Sequence, residues 1–305
     1  GNDVCFFSRQ GKALNRIHRV GNGPGEYKDI GSIDVNPANG ELYLKEMNRQ
    51  QIHVYSLDGK FKHSFTFPEG KRMSRMCLFS PDYLIAEQES KVPDDQDANF
   101  YPYLLVSTRD GHLDSLDYVQ KRNILVKLIV NAENHSYAYL LEPSLIRNGS
   151  RFYIGNPDSD TLFAMNPDRT LEPLLVRIPS HSEEGNKYGL FLRGAAGAYF
   201  FLTKQPMEVP MNSIESLDLK SEEWLYDCRT QEVCRYLLKN KDDASKRVEG
   251  IMFFCYPEDC GLAVLKSEDL MDAYEAGQLS GELKEIAAGL KADDNPVLML
   301  IHFKK

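Results

Sequence analysis

The sequence predicts an all-β fold, a β-propeller built of four-stranded antiparallel blades. Three observations predict it. A strand–turn–strand unit recurs along nearly the whole 305-residue chain. Tight hairpin turns punctuate it at a slowly drifting interval. The two chain ends carry complementary parts of a sheet.

The clearest unit sets the pattern. Ser32–Val35 reads as a strand and Pro37-Ala38-Asn39-Gly40 as a turn. Glu41–Leu44 is a second strand and Asn48-Arg49-Gln50 a loop. Gln51–Tyr55 is a third strand, Leu57-Asp58-Gly59-Lys60 a tight turn, and Phe61–Phe67 a fourth strand. Asp-Gly between alternating apolar runs is a strong hairpin signal, because glycine accepts the left-handed conformation the turn needs. The order returns at 82–85, 103–106 and Asp110-Gly111. It returns again at Arg151–Ile154, Thr161–Met165 and Asp168-Arg169, and at 198–202, 223–226 and Thr230-Gln231. The chain opens on a hairpin of the same kind, Val4–Phe7 before Gln10-Gly11-Lys12. The turns centre on residues 11, 59, 111, 169 and 231, an interval of about 50–60 residues that suits one propeller blade with loop insertions.

The last repeat comprises 250–255 and 261–265, with a terminal strand at 296–303. Between them, 267–292 reads as a helical insertion. Ser267 is the expected N-cap, Glu268 and Asp269 occupy the first turn, and Leu270, Met271, Tyr274, Leu283, Ile286, Ala287 and Leu290 recur at helical spacing. Gly277 and Gly281 divide the run into two short helices. The N-terminus supplies outer strands and the C-terminus inner ones, so joining them in one sheet would leave no exposed edge. Third strands number six and complete inner pairs five. The expectation is a single domain over residues 1–305 with six blades, five being the alternative.

Composition sets limits on function. Net charge is −9, and no Lys/Arg-rich block offers the basic footprint that a nucleic-acid partner requires. No apolar stretch is long enough for a membrane helix. The chain starts at Gly1 without an initiator Met, so an upstream leader is expected to have been removed. Of six cysteines, Cys228/Cys234 and Cys255/Cys260 form close pairs. Facing hairpin positions meet disulfide geometry only when both Cβ vectors agree, and buried free thiols are the first expectation. Zinc is not expected, since neither pair is Cys-x-x-Cys and no His pair accompanies them.

The stretch Val20-Gly21-Asn22-Gly23-Pro24-Gly25-Glu26-Tyr27, followed by the Asp58-Gly59-Lys60 blade, resembles a large uncharacterised family of gut-bacterial six-bladed propellers, distantly related to NHL-repeat proteins. The ending Asp293-Asp294-Asn295-Pro296-Val297-Leu298 is similar to that family's C-terminal signature. The resemblance implies a secretory or lipoprotein leader, hence the periplasm or cell surface with a lipid anchor upstream. It carries over no catalytic residues. The family usually begins with a fuller first blade than this chain shows.

Propellers bind ligands in a central funnel, lined by loops between second and third strands and by loops linking blades. Candidate ligand-binding residues are therefore Glu26, Tyr27, Lys45, Asn48, Arg49, Glu87, Asn156, Asp158, Lys204 and Gln205, whose charges and amides suit a polar ligand. The glycine-rich stretch from Gly21 lies between strands, so it reads as a turn with Glu26 and Tyr27 bonding the blade junction, and not as a phosphate cradle. Asp95-Gln96-Asp97-Ala98-Asn99 starts like a calcium loop but has Phe100 where glycine and Val106 where glutamate belong; Asn156-Pro157-Asp158-Ser159-Asp160 has the same partial spacing. Both read as solvated loops, with a calcium site assembled from several loops the remaining option. The seven histidines show no metal-ligand spacing. No Gly-x-Ser-x-Gly elbow and no His-Glu-x-x-His motif occurs.

These features predict an envelope or secreted binding propeller for a glycan, peptide or protein, with no cofactor. The alternative is a metal-dependent hydrolase or lyase on the same scaffold. A third reading is a structural subunit that docks through the helical insertion.

Overall fold

The computed structural model describes residues 2–8, 12–67, 72–88, 101–116, 125–131, 136–141, 145–156, 159–183, 185, 187–210, 221–243, 248, 251–253 and 259–304. They fall into two compact units, 1–123 and 124–305.

In the N-terminal unit, β1 (Val4–Phe7) and β2 (Ala13–Ile17) form a hairpin. A four-stranded meander follows: β3 (Ser32–Asn36), β4 (Glu41–Lys45), β5 (Gln51–Ser56) and β6 (Phe61–Thr66). A second consists of β7 (Met73–Ser80), β8 (Tyr83–Gln88), β9 (Tyr103–Ser107) and β10 (Leu113–Ser115). The first strands of the two meanders, β3 and β7, lie against each other.

Burial shows why these sheets stack. Leu42 to Lys45 in β4 and Ile52 to Tyr55 in β5 are buried without a break, which requires cover on both faces of the sheet. Leu42, Leu44 and Tyr55 face Val4, Ile17 and Tyr27. Tyr43, Ile52 and Val54 face Met73, Met76, Leu84, Leu104 and Val106 of the next sheet. The outer strand β6 alternates between partly buried and exposed positions.

The C-terminal unit starts with β11 (Leu125–Asn131) and β12 (Ser136–Leu141), a hairpin that the sequence reading did not assign. Next is the meander β13 (Leu145–Asn148), β14 (Arg151–Ile154), β15 (Thr161–Met165) and β16 (Leu171–Val176). Then come β17 (Tyr188–Ala196) and β18 (Tyr199–Pro206), followed by the short β19 (Glu208–Pro210), which leaves to pair in parallel with β11. β20 (Glu222–Asp227) and β21 (Glu232–Arg235) complete the sheet begun by β17 and β18. Tyr153 and Leu162 pack on Leu192, Ala195, Phe200, Leu202 and Tyr226 between these two meanders. β13 lies against β17, as β3 does against β7.

The last sheet is β22 (Met252–Phe253), β23 (Cys260–Leu265) and β24 (Val297–His302). Between the hydrogen-bonded strands β23 and β24 the chain forms α1 (Ser267–Glu275) and α2 (Gly281–Ala287). Repeated four-stranded meanders whose first strands abut define a β-propeller architecture.

Ser267 is not the N-cap. Lys266 holds that position, and Ser267 begins the helix with its buried hydroxyl 2.9 Å from the Asn295 carbonyl and 3.1 Å from that of Asp294. The side chain ties the helix start to the segment entering β24 instead of closing its own turn. Gly277 ends α1 as expected. At φ +68° it lets its own N–H reach Tyr274 and the Gln278 N–H reach Ala273, a Schellman closure. Leu270, Ala273, Leu279, Leu283 and Ala287 are buried together, with Leu265, Leu290 and Val297 packed on them. The helices therefore bury part of their apolar face within this unit, while Tyr274 and Ile286 stay exposed.

Candidate functional site

The second strands β4, β8, β14 and β18 end in the same way. Each delivers a buried polar side chain where the chain leaves toward the third strand: Lys45 at the end of β4 with Glu46 just after it, Glu87 and Gln88 at β8, Asn156 after β14, and Gln205 at β18. Burying such groups is costly unless each is hydrogen-bonded. In an apolar-centred sheet, a residue of this kind near the same end of four second strands is a patterned feature.

The first of these ends is the most fully described. The Glu46 carboxylate bonds the His53 ring through Oε1 at 2.9 Å, and its Oε2 accepts the Lys28 N–H at 3.1 Å. The Lys45 ammonium donates to the Glu46 carbonyl at 3.0 Å. All three side chains are buried. Outside them, Asp29 accepts the Met47 N–H at 2.7 Å and the Asn48 side-chain amide at 2.6 Å. Burial pushes the Asp29 carboxyl up, but the hydrogen bonds from Asn48 and Met47 outweigh it and leave it below its ordinary value. Arg49 donates to the Asn22 amide oxygen. The loop 46–50 and the glycine-rich loop are thus pinned side by side, with Asn22 and Asn48 exposed.

The glycine-rich stretch is a turn held from within. Gly23 N–H donates to Glu26 Oε2 at 2.8 Å, and Glu26 N–H to the Gly23 carbonyl at 3.0 Å. Gly25, at φ +71°, lies so close to Phe61 that an added Cβ would sit 2.4 Å from the ring. Tyr27 is wholly buried, and its hydroxyl donates toward the carbonyls of Asn2 and Ile17 at 2.8 and 3.1 Å. Its ring joins His53, Tyr55 and Phe61 in an aromatic cluster.

In the C-terminal unit, Gln205 accepts from Arg193 at 2.9 Å, and the Lys204 ammonium stands 5.0 Å from the Tyr188 ring centre. Asn156 borders a small cleft with Ser159, Asp160, Thr161 and Arg177 above an apolar floor that includes Leu162 and Leu192. Its interior volume is about 20 Å³, room for a single water. Asp158 lies outside the described residues, as do Asp95–Asn99, His135 and Cys255. Glu26, Tyr27, Lys45, Asn48 and Arg49 come together within the N-terminal unit. Glu87 sits at the equivalent end of its own sheet.

Sequence reading missed a further cluster. Asp259, Cys260 and His302 place one potential ligand atom each within 4.8 Å of the others. Cys260 Sγ is 3.0 Å from His302 Nδ1 and 3.7 Å from Asp259 Oδ1. Burial, reinforced by the Asp259 carboxylate, pushes the Cys260 thiol up. The pairing of β23 with β24 sets Cys260 opposite His302, a register that no local sequence signal marks. Cys228 and Cys234 are free thiols and are exposed, not buried, because Cys228 lies in a turn and Cys234 on the outer strand β21.

Fold and site together define a propeller-class protein with polar strand-end clusters. The chain belongs to the family described as domain of unknown function DUF4934, whose model matches residues 1–302. It is similar in fold to the crystal structure of a candidate exported protein from Bacteroides fragilis (TM-score 0.65, 14% identity, covering 99% of this chain and 85% of that one). It is also similar to a member of the DUF4221 family from Bacteroides vulgatus (TM-score 0.54, 9% identity, covering 98% and 86%). No curated protein matches the chain. Among the described residues, no helix is long and apolar enough to cross a membrane.

Proposed function

We propose that residues 1–305 act as one six-bladed binding propeller of the bacterial envelope, secreted or lipid-anchored, that recognises a polar ligand such as a glycan or peptide without catalysing its turnover. One observation carries this reading: buried polar side chains recur at the end of the second strand in four sheets. An apolar residue there would stabilise the sheet more cheaply. Retaining Lys45, Glu46, Glu87, Asn156 and Gln205 makes sense where emerging loops must hold polar groups in fixed positions. Around Asn48 and Arg49 the loops are already braced before any ligand arrives, which lowers the entropy cost of binding. The fold likeness to a candidate exported Bacteroides protein supports the envelope location.

Isothermal titration with a panel of soluble oligosaccharides and peptides tests the proposal. Binding that weakens in Arg49→Ala or Lys204→Ala is the expected result. Catalytic turnover of glycosides, lactones or peptides by the purified chain would overturn it.

A further inference from the structure

We propose that Asp259, Cys260 and His302 form a binding site for a thiophilic divalent cation of the zinc class.

The site follows from strand register. β23 and β24 are antiparallel, and Cys260 and His302 are direct partners, so their side chains leave the same face of the sheet. The ladder runs one residue further, where the Phe303 N–H donates to the Asp259 carbonyl at 2.8 Å. That bond fixes the Asp259 backbone at the strand start and brings its carboxylate beside Cys260 Sγ. Two of the three residues are neighbours and the third is 42 positions away, so no local motif announces them.

The donor set selects the metal. A thiolate, an imidazole and one carboxylate suit zinc, whereas the sulfur disfavours hard cations such as calcium. Zn–S of about 2.3 Å and Zn–N of about 2.0–2.1 Å at a tetrahedral angle separate sulfur from nitrogen by roughly 3.5 Å. The observed 3.0 Å needs an opening of about half an ångström, and the sulfur-to-carboxylate distance of 3.7 Å needs almost none. Cys260 is fully buried, Asp259 half-buried and His302 exposed. The site is closed behind the sulfur and open at the imidazole, so a cation enters from that side and water completes its shell. Binding breaks the Cys260 S–H bond, forms a metal–sulfur bond and releases one proton to solvent; nothing is oxidised or reduced.

The test uses the full chain with its thiols reduced. Titration with Co²⁺ should produce thiolate-to-cobalt charge-transfer absorption saturating at one equivalent, and Zn²⁺ should displace it. Cys260→Ser should abolish the absorption, while Cys228→Ser with Cys234→Ser should leave it intact. His302→Gln, at an exposed position that does not endanger folding, should weaken Co²⁺ binding at least as much as the ~10–100-fold typical of losing an outer-shell partner. No stoichiometric binding, or absorption that survives both Cys260→Ser and His302→Gln, overturns the proposal.

Discussion

The Asn36 side chain reaches the next sheet, donating from Nδ2 to the Pro81 carbonyl at 3.1 Å in the turn between β7 and β8. Asn148 makes the equivalent bond to the Gly197 carbonyl at 3.5 Å, in the turn between β17 and β18. In both units an asparagine at the end of a first strand clamps the corresponding turn of the following blade. Both side chains are buried.

The two clamps differ in quality, and this sets the first prediction. Asn36 Oδ1 also accepts the Ala38 N–H at 3.1 Å, so both ends of the amide are used. Asn148 Oδ1 has no partner among the described residues. Asn36→Ala should therefore lower stability by about 1–3 kcal/mol and Asn148→Ala by less, as lost buried hydrogen bonds do. Equilibrium urea unfolding followed by circular dichroism checks both; equal losses would contradict the assignment.

Four third-to-fourth-strand turns each carry a residue with positive φ. Gly59, Gly111, Arg169 and Gln231 all have positive φ, at 85°, 75°, 75° and 58°. The left-handed region costs a non-glycine residue about 1–2 kcal/mol, offset in part by the greater freedom glycine has when unfolded. Arg169→Gly and Gln231→Gly should each raise stability, by up to about 1 kcal/mol. Gly111→Ala should lower it, since the new Cβ would meet Phe65 at 2.5 Å. Thermal melts of the three variants give the signs directly.

Removing the Glu46 side chain strands His53 Nε2 and the Lys28 N–H together. Leaving a buried hydrogen-bonding group without its partner costs about 1–3 kcal/mol, so Glu46→Ala should be clearly destabilised. Glu46→Gln keeps an acceptor and should lose far less. Similar losses in the two variants would show that packing, not the hydrogen bonds, dominates.

Acid should weaken the fold through lowered carboxylates. The side-chain hydrogen bond from Arg229, helped by its backbone N–H, draws Asp227 down from 3.8 to about 2. A group whose folded pKa is depressed adds stability above its unfolded value, and that contribution disappears as pH falls through the folded value. The fold should thus lose stability between about pH 4 and pH 2, and Asp227→Asn should flatten that part of the profile. Denaturant midpoints measured at successive pH values decide it.

Much of the blade pattern was legible because it is local. Asp58-Gly59 and Asp110-Gly111 state their turns in the residues themselves, and alternating apolar runs mark the strands around them. Arg169 and Gln231 occupy the same turns without glycine, and only the repeat spacing exposed them. The hairpin β11–β12 escaped notice because its connection carries no such turn signal, and its third partner, β19, comes from between two strands of another sheet. The strand ends at Lys45, Glu87, Asn156 and Gln205 were readable as candidates by their place in the repeat, but their burial was not.

By itself the sequence determined the strands of the regular meanders, the glycine turns at Gly59 and Gly111 and the helical break between β23 and β24, since each depends on residues within a few positions of one another. Tertiary structure alone decided that Tyr27 is wrapped in core, that Ser267 secures a distant segment instead of capping its helix, and that Cys260 meets His302. Those outcomes depend on strand register and sheet stacking, which join residues tens of positions apart and leave no trace in local spacing.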